Sequence, residues 1–209
     1  MAEAWDGVLH ELRLRGMMTG VAPADADALI NAGFATRRGD RVVITPTGRV
    51  EADAAALLPA GSDEAARTRL AYDVFLPLNH ELLAVTHAFQ VRPGNVPNDH
   101  ADVAYDWKVI DRLGALDERV GPVVRQLGQT AARFSGYRSR LRDARRRLEG
   151  GVNEWFASPR CDSYHTVWMQ LHEDLLLALG LDRADEPGPG AARRPTESAG
   201  NAAGRDTGR

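Results

Sequence analysis

Residues 29–49, LINAGFATRRGDRVVITPTGR, carry the clearest structural pattern in the N-terminal part of the chain. The stretch starts with the apolar end of a helix, and Gly33 stands where helices commonly turn into the left-handed conformation. Two short runs rich in β-branched residues, 34–36 and 41–45, then flank a turn signal at Gly39. The stretch therefore predicts the end of one helix, a two-stranded hairpin and the start of another helix.

Further helices are predicted on both sides of this stretch. Pro23 suits the first turn of a helix over residues 23–31. Apolar residues at i, i+3, i+4 and i+7 predict an earlier helix over residues 3–16. After the hairpin, Pro46 begins a new helix. The first 60 residues thus predict a small α+β domain with the order helix, helix, two-stranded wing, helix.

Two segments of this domain resemble the winged helix-turn-helix of MarR-like bacterial transcriptional regulators of actinobacterial type. The segments LINAGFATR (29–37) and VITPTGR (43–49) are similar to the LxxxGLV and LTPxGR stretches of that family. The resemblance covers about residues 5–58, and it implies that the domain binds double-stranded DNA. The residues that we expect to contact DNA are Arg37, Arg38, Arg41, Thr47 and Arg49.

The predicted recognition helix, residues 23–31, has an unusual charge for a DNA-binding element. It contains Asp25 and Asp27 and neither Arg nor Lys. A helix in the major groove normally supplies hydrogen-bond donors for phosphate and guanine, whereas carboxylates are repelled by the DNA backbone. The acidic helix therefore favours an alternative in which the winged helix is a protein-docking module.

Residues 61–182 predict an all-α bundle, because helical patterns follow one another and no strand pattern occurs. Ser62 is expected to cap the first of these helices. The predicted helices cover residues 65–89 (with a kink or break at Pro77), 105–116, 120–134, 137–148, 152–156 and 161–179. Residues 183–209 lack apolar anchors and predict a disordered tail. The expected divisions are therefore 1–60, 61–182 and 183–209.

Histidine, aspartate and tryptophan residues are concentrated in the helical part. Asp162, His165 and His172 fall near one face of the predicted helix 161–179. Three interpretations stay open: hydrogen bonds that join helices, a pocket for a small-molecule effector, and a divalent metal site. The candidate ligand-binding residues are His80, His87, Trp107, Asp162, His165, Trp168 and His172.

Other segments of the helical part carry further resemblances. DSYH (162–165) is similar to the DxxFH-type motif of FadR-like GntR regulators, which implies a helical effector domain with a metal held by Asp and His. The segments 92–106 and 162–176 are similar to actinobacterial MarR-like proteins and to segments associated with phosphoenolpyruvate-utilising dikinases. The arginine run 133–147 has only Asp143 beside it, and it predicts either a solvated helix face or an anionic partner.

Composition excludes several classes of protein. The net charge of −3 and the pI of about 6.1 do not suit a protein that coats nucleic acid non-specifically. Cys161 is the only cysteine, which excludes an internal disulfide. No apolar run of about 18 residues is present, and the acidic N-terminus is unlike a secretory signal, so we expect a cytoplasmic protein. No nucleophile elbow, phosphate-binding glycine loop or HExxH motif occurs, and an enzyme is not expected.

The sequence thus favours a bacterial transcriptional regulator with an N-terminal winged helix and a helical domain for dimerisation and ligand sensing. Its expected partners are double-stranded DNA, a second copy of the chain and a small-molecule effector. The alternative is an interaction protein that docks on a metabolic enzyme, such as one that uses phosphoenolpyruvate. The acidic helix 23–31 favours the alternative, and the arginines of the hairpin favour the regulator.

Overall fold

The computed structural model describes residues 6–188, and this part is mainly helical with a small antiparallel sheet. The N-terminal part contains α1 (Asp6–Arg15), β1 (Met17–Thr19), α2 (Pro23–Asn31), β2 (Ala35–Arg38), β3 (Arg41–Ile44) and α3 (Pro46–Ala56). The helical part contains α4 (Asp63–Gln90), β4 (Val91–Arg92), β5 (Val96–Pro97), α5 (Val103–Thr130), α6 (Tyr137–Glu149), α7 (Glu154–Ala157) and α8 (Tyr164–Leu179). Short 3-10 turns cover Ala132–Phe134 and Arg183–Asp185. Within residues 6–188, no helix has the length and apolar character needed to cross a bilayer.

The sheet of the N-terminal part has the strand order β1-β3-β2, and both strand pairs are antiparallel. The predicted hairpin is present as β2 and β3, with Ala35 opposite Ile44. β1 adds a third strand, with Met17 opposite Val43. The sequence analysis did not identify β1, because three residues are too few to show an alternating pattern. The core under the sheet contains Leu9, Leu12, Ala26, Leu29, Ala35, Val42, Ile44 and Ala52.

A close backbone contact explains the glycine of the 43–49 segment. Thr45 caps α3: its hydroxyl accepts a hydrogen bond from the Gly48 amide (3.0 Å) and donates one to the Gly33 carbonyl (2.7 Å). These bonds hold the first turn of α3 against the chain that leaves α2. A Cβ atom at position 48 would lie 2.1 Å from the carbonyl oxygen of Phe34. Only glycine fits at this position without movement of the backbone.

Two long helices, α4 and α5, form the frame of the helical part, and each has 28 residues. α4 continues through Pro77, so the helix is not broken there. α5 is one helix that replaces the two predicted over residues 105–116 and 120–134, and that prediction was wrong. The charged residue Asp117 interrupts the apolar spacing of the sequence, yet it is only 2% exposed and belongs to the buried face of α5.

A small hairpin after α4 corrects the expectation that the helical part has no strands. β4 and β5 pair antiparallel, with Val91 opposite Pro97. The chain turns between them through Gly94 and Asn95, which both have positive φ. Strands of two residues, one of which contains proline, give no periodic pattern that a sequence analysis can detect.

Asp117 is a buried carboxylate that binds α5 to its neighbours. It accepts hydrogen bonds from Arg138 (2.6 Å), Arg145 (3.2 Å) and the Tyr164 hydroxyl (3.0 Å). Burial alone would raise the pKa of Asp117. The hydrogen bonds and positive charges of its partners outweigh burial and hold this pKa below the ordinary carboxyl value. Asp117 is therefore an anion inside the bundle at neutral pH.

Asp174 of α8 is a second buried carboxylate, and it joins the two parts of the chain. It accepts hydrogen bonds from the Arg133 guanidinium and from the Tyr137 hydroxyl (3.0 Å), and His10 Nε2 lies 3.1 Å away. Arg133 also donates to the carbonyl of Ala56 at the end of α3. One carboxylate thus connects α1, the end of α3 and the start of α6.

The arginine run 133–147 is largely paired with acids from other elements. Besides the arginines on Asp117 and Asp174, Arg140 donates to Asp162 at 3.0 Å, and Arg147 lies over the ring of Trp155. The run therefore differs from a solvated face that has only Asp143 to balance it. Its counter-charges lie far away in sequence and close in space.

The C-terminal end of the described chain packs against α4 and α8. Glu186 accepts a hydrogen bond from the Tyr72 hydroxyl at 2.5 Å, and its carboxylate lies 2.6 Å from His172 Nε2. The packed chain therefore extends beyond the expected boundary at residue 182, because a polar anchor replaces the missing apolar ones. Residues 189–209 of the predicted tail, and residues 1–5, lie outside the described residues.

Replacing Asp117 by Ala should lower the free energy of unfolding by about 3–5 kcal/mol, because it leaves the partly buried Arg138 guanidinium without a carboxylate and removes one of the two carboxylates of Arg145. Asp143→Ala is the matched control. Asp143 forms an exposed i, i+3 pair with Arg146, so its loss should change the stability by less than about 1 kcal/mol. Urea denaturation followed by circular dichroism measures both. Equal, small effects of the two substitutions would contradict the structural role of Asp117.

Replacing Gly48 by Ala should lower the free energy of unfolding by about 1–3 kcal/mol or more, because the new methyl group collides with the Phe34 backbone. Gly7→Ala in α1 is the control, since a Cβ at position 7 meets nothing within 4 Å. Thermal denaturation of the two variants compares the positions. An unchanged melting temperature for Gly48→Ala would show that α3 does not approach Phe34 as described.

Candidate functional site

The β2–β3 hairpin carries three of the arginines that the sequence analysis assigned to DNA binding. Arg37, Arg38 and Arg41 all stand at exposed positions. Gly39, in the turn between the strands, has a φ of +62°, a conformation that favours glycine. The hairpin therefore carries three arginines beside its turn, with Arg38 directly opposite Arg41.

An ion pair links the hairpin to α2. Arg37 donates to Asp27 at 3.1 Å, and the two side chains are 48% and 67% exposed. Exposed pairs of this kind contribute about 0–1 kcal/mol, so a stronger anion can displace the aspartate. Over α2 and the hairpin, the three arginines are matched in number by Asp25, Asp27 and Asp40. This surface therefore has local positive charge at the hairpin without a net positive charge overall.

The remaining two predicted DNA-binding residues lie on α3. Thr47 is exposed in the first turn of the helix. Arg49 is also exposed, but it lines a cleft beside Gly16 and Met17 that is bounded on its other side by the chain before α8. Arg49 therefore lies apart from the hairpin arginines. It lines the cleft where the N-terminal and helical parts meet.

The seven predicted ligand-binding residues do not line one pocket. Trp168 and His172 are buried in the core, whereas His87 and Trp107 are exposed and His80 is half-buried. Only Asp162 and His165 line the same cleft.

The position at which α8 starts explains this distribution. Ser163 caps the helix, so Asp162 precedes it and cannot be counted on one of its faces. His172 lies one turn after Trp168 on the buried side, and the Phe75 ring contacts both, with centroid distances of 5.5 and 4.8 Å. His172 therefore belongs to the core and His165 to the surface cleft.

The polar loop before α5 is held by hydrogen bonds of its own. Asp106 is buried, and it accepts a hydrogen bond from Asn98 at 2.7 Å and lies 2.8 Å from His100 Nδ1. Asn98 also donates to the carbonyl of Phe89 at the end of α4. These contacts fit the interpretation in which polar side chains join helices.

A cavity of about 440 Å³ lies between the two parts of the chain, bounded by α1, α3, α6 and α8. Leu14 and Ala55 belong to its apolar wall, and Arg133, Tyr137 and Asp174 belong to its polar side. Asp174 accepts hydrogen bonds from both Arg133 and Tyr137, whereas Arg133 Nε is buried and has no hydrogen-bond partner among residues 6–188. The sequence signal that the analysis missed is an aspartate, Asp174, directly before the apolar run of residues 175–179.

A second, open cleft of about 790 Å³, here called the junction cleft, lies where α1, β1 and α3 meet the chain before α8. The charged residues that line it are Arg13, Arg15, Arg49, Arg160, Asp162, Glu173 and Arg183. Asp162 accepts hydrogen bonds from Arg15 and Arg140, each at 3.0 Å. Burial alone would raise the pKa of Asp162, but these two arginines outweigh it and hold the pKa below the ordinary carboxyl value.

His165 lines the junction cleft from the first turn of α8. Its imidazole has no hydrogen-bond partner among residues 6–188, and it is half-buried. Burial lowers the pKa of His165 below the ordinary value for histidine, which keeps the ring neutral at neutral pH. A neutral imidazole can both donate and accept a hydrogen bond.

The described residues do not gather the ligands of a metal site. Across positions 6–188, no group of three or more His, Cys, Asp and Glu side chains is placed to hold a metal ion. Asp162 binds arginines, and His172 faces Glu186 on the other side of α8. The three residues considered for a divalent metal, Asp162, His165 and His172, therefore do not converge.

The chain matches no protein-family model, and no curated protein or solved structure is significantly similar to it.

Stability should decrease as the pH falls below about 6.5, the ordinary pKa of histidine. Burial lowers the pKa of His165 and, against the opposing effect of Glu186, that of His172 in the folded chain. The unfolded chain then binds more protons, so the stabilisation is present above about pH 6.5 and is lost at lower pH. His165→Gln should make this decrease smaller in thermal melts between about pH 7 and pH 5.

His87→Gln, at an exposed position of α4, is the matched control for the substitution. A His165→Gln variant that loses as much stability on acidification as the wild type would contradict the burial of a neutral imidazole.

Proposed function

We propose that the chain is a transcriptional regulator that binds double-stranded DNA through its N-terminal part. In this proposal, the elements α1 to α3 form a winged helix-turn-helix, with the β2–β3 hairpin as the wing. The observation that carries the proposal is the group of exposed guanidiniums on the hairpin, Arg37, Arg38 and Arg41, directly beside the exposed helix α2. The clustering of guanidinium groups at an exposed edge is the pattern expected for phosphate contacts.

The order of elements supports the same proposal. A winged helix places a recognition helix before a hairpin and returns from the hairpin to a further helix, which is the order of α2, β2, β3 and α3. The seven residues between Arg15 and Pro23 hold β1, which completes the sheet by pairing with β3. This segment therefore forms a strand. Two helices, α1 and α2, precede the hairpin, whereas a typical winged helix-turn-helix has three.

The hairpin would supply most of the binding energy, and α2 would supply little. Arg38 and Arg41 have no carboxylate partner among residues 6–188, and Arg37 has only the exposed Asp27. A phosphate can replace Asp27 as the partner of Arg37, because both groups of the existing pair are open to solvent. The expected contacts are therefore phosphate contacts or contacts within the minor groove, where arginine side chains are favoured.

A homodimer belongs to the proposal, since a single hairpin and a single short helix reach few base pairs, and two copies double the number of contacts. The exposed apolar residues Leu70 and Val74 lie four residues apart on α4, and Trp107 on α5 is 43% exposed. Large apolar side chains on helix surfaces favour association between chains. The helical part is thus the part that we expect to dimerise.

A second candidate function is docking on another protein, such as a metabolic enzyme. The observation that favours it is the acidic α2, where Asp27 is exposed and no basic residue is present. The balance of arginines and aspartates on this surface suits a protein partner with mixed charges as well as it suits DNA. The two candidates differ in their dependence on salt and on the hairpin charges.

Binding to the DNA upstream of the gene should weaken steeply as salt increases, because each phosphate contact releases counterions. Arg38→Ala should weaken binding and reduce the magnitude of the salt slope by about one unit. Arg142→Ala on α6 removes the same charge from an exposed position far from the hairpin in the sequence, and it should behave as the wild type. Asp27→Asn should strengthen binding, because it removes a repulsive charge and releases Arg37. Gel retardation and fluorescence anisotropy measure these changes.

The regulator function is ruled out if the wild type does not retard its upstream DNA at low salt and if Arg38→Ala and Arg142→Ala behave alike. The docking function would then be the one to pursue, with the Asp27→Asn variant weakening capture of the partner.

A further inference from the structure

The junction cleft has an excess of positive charge. Five arginines line it, against the two carboxylates of Asp162 and Glu173. His165 adds no charge at neutral pH, because its buried imidazole is neutral. A concave surface with such an excess attracts anions more strongly than a flat surface of the same charge.

Three of the five arginines are already paired. Arg13 binds Asp53 and Glu173, at 2.5 and 3.1 Å. Arg15 donates to Glu11 and to Asp162, at 2.9 and 3.0 Å, and Arg183 donates to Glu173 at 3.2 Å. These pairs fix the walls of the cleft and contribute little to its attraction for a ligand.

Arg49 and Arg160 are the source of the excess. Within the described residues, neither guanidinium donates a hydrogen bond or forms an ion pair with a carboxylate. Arg49 belongs to the first turn of α3 in the N-terminal part, and Arg160 belongs to the chain between α7 and α8 in the helical part. Two guanidiniums without partners therefore reach one cleft from the two sides of the junction.

We propose that the junction cleft binds a small polyanion, a metabolite with at least two phosphate or carboxylate groups, and that one group binds Arg49 while another binds Arg160. Guanidinium is the side-chain group best matched to both kinds of oxyanion, because its planar fork donates two parallel hydrogen bonds. His165 supplies a neutral hydrogen-bonding group in the first turn of α8, where the helix dipole also favours an anion. Met17 and Met169 provide apolar surface for the body of the ligand.

The size and shape of the cleft favour a small molecule over a nucleic acid. A volume of about 790 Å³ lies in the range of metabolite pockets. Asp162 and Glu173 stand in its walls, where they would repel the continuous phosphate chain of DNA but leave room for a compact anion between the two arginines. The hairpin arginines lie on a different surface, so both ligands can be tested separately.

An anion held by both arginines would act as a bridge between the N-terminal and helical parts. It would therefore stabilise one arrangement of the two parts over others. The regulatory use of this bridge rests on the proposed function, because it requires that the N-terminal part binds DNA. The binding of the anion itself does not depend on DNA.

Isothermal titration calorimetry with pyrophosphate and with citrate, in the absence of DNA, tests the site. The wild-type chain should bind at least one of the two probes, and the preferred probe tells whether phosphate or carboxylate is the better ligand group. The bound probe should also raise the melting temperature of the chain. Arg49→Ala and Arg160→Ala should each weaken binding about tenfold or more, which corresponds to about 1.4 kcal/mol. Both side chains are exposed and unpaired, so neither variant should lose stability without the probe.

Arg112→Ala on α5 and Arg142→Ala on α6 are the controls, because each removes one positive charge from an exposed position outside the cleft. Both should bind the probe as the wild type does, and acetate at equal ionic strength should not bind. The proposal is overturned if neither probe binds, if the controls weaken binding as much as the cleft variants, or if only one of Arg49 and Arg160 contributes. If the chain binds the anion but does not bind DNA, the proposed regulator function is rejected and the proposed anion site is retained.

Discussion

Buried carboxylates paired with arginines are the interaction on which the helical part depends. Asp117 and Asp174 lie at core positions of α5 and α8, and each would be strongly unfavourable there without its cationic partners. The partners come from the strongly basic segment that begins at Arg133 and continues through α6. The hydroxyls of Tyr137 and Tyr164 complete the two networks, one on each carboxylate. The basic character of this segment, from Arg133 through α6, is therefore a structural requirement of two other helices.

Charge also governs the contact between the N-terminal part and the helical part. Arg13 and Arg15 of α1 reach Glu173 and Asp162 across the junction, and Asp174 reaches back to α1. The pairs of Arg13 and Arg15 are partly open to solvent and each contributes little to the stability of the junction, whereas Asp174 is fully buried and depends on its partners.

The sequence predicted the elements whose signals are local. The bounds of α2, the hairpin at Gly39 and the cap of α4 at Ser62 follow from turn and cap chemistry, and the structure has all three. The sequence did not predict the continuity of α5 or the pairing of the arginine run, because both depend on residues that meet only in the folded chain. The same reason explains the candidate sites: Asp162 and His165 were proposed as ligand-binding residues, but Arg160 had no motif around it, and Arg49 was assigned to DNA binding.

The contact of Glu186 with Tyr72 and His172 has a consequence for synthesis of the chain. The core of the N-terminal part uses only residues between Leu9 and Ala52, so it can form while the ribosome is still making the bundle. His172 receives its carboxylate partner only after residue 186 has been synthesised and released from the exit tunnel. The buried side of α8 is therefore completed only after the N-terminal core and the other helices of the bundle have been synthesised, and the order of folding runs from the sheet to Glu186.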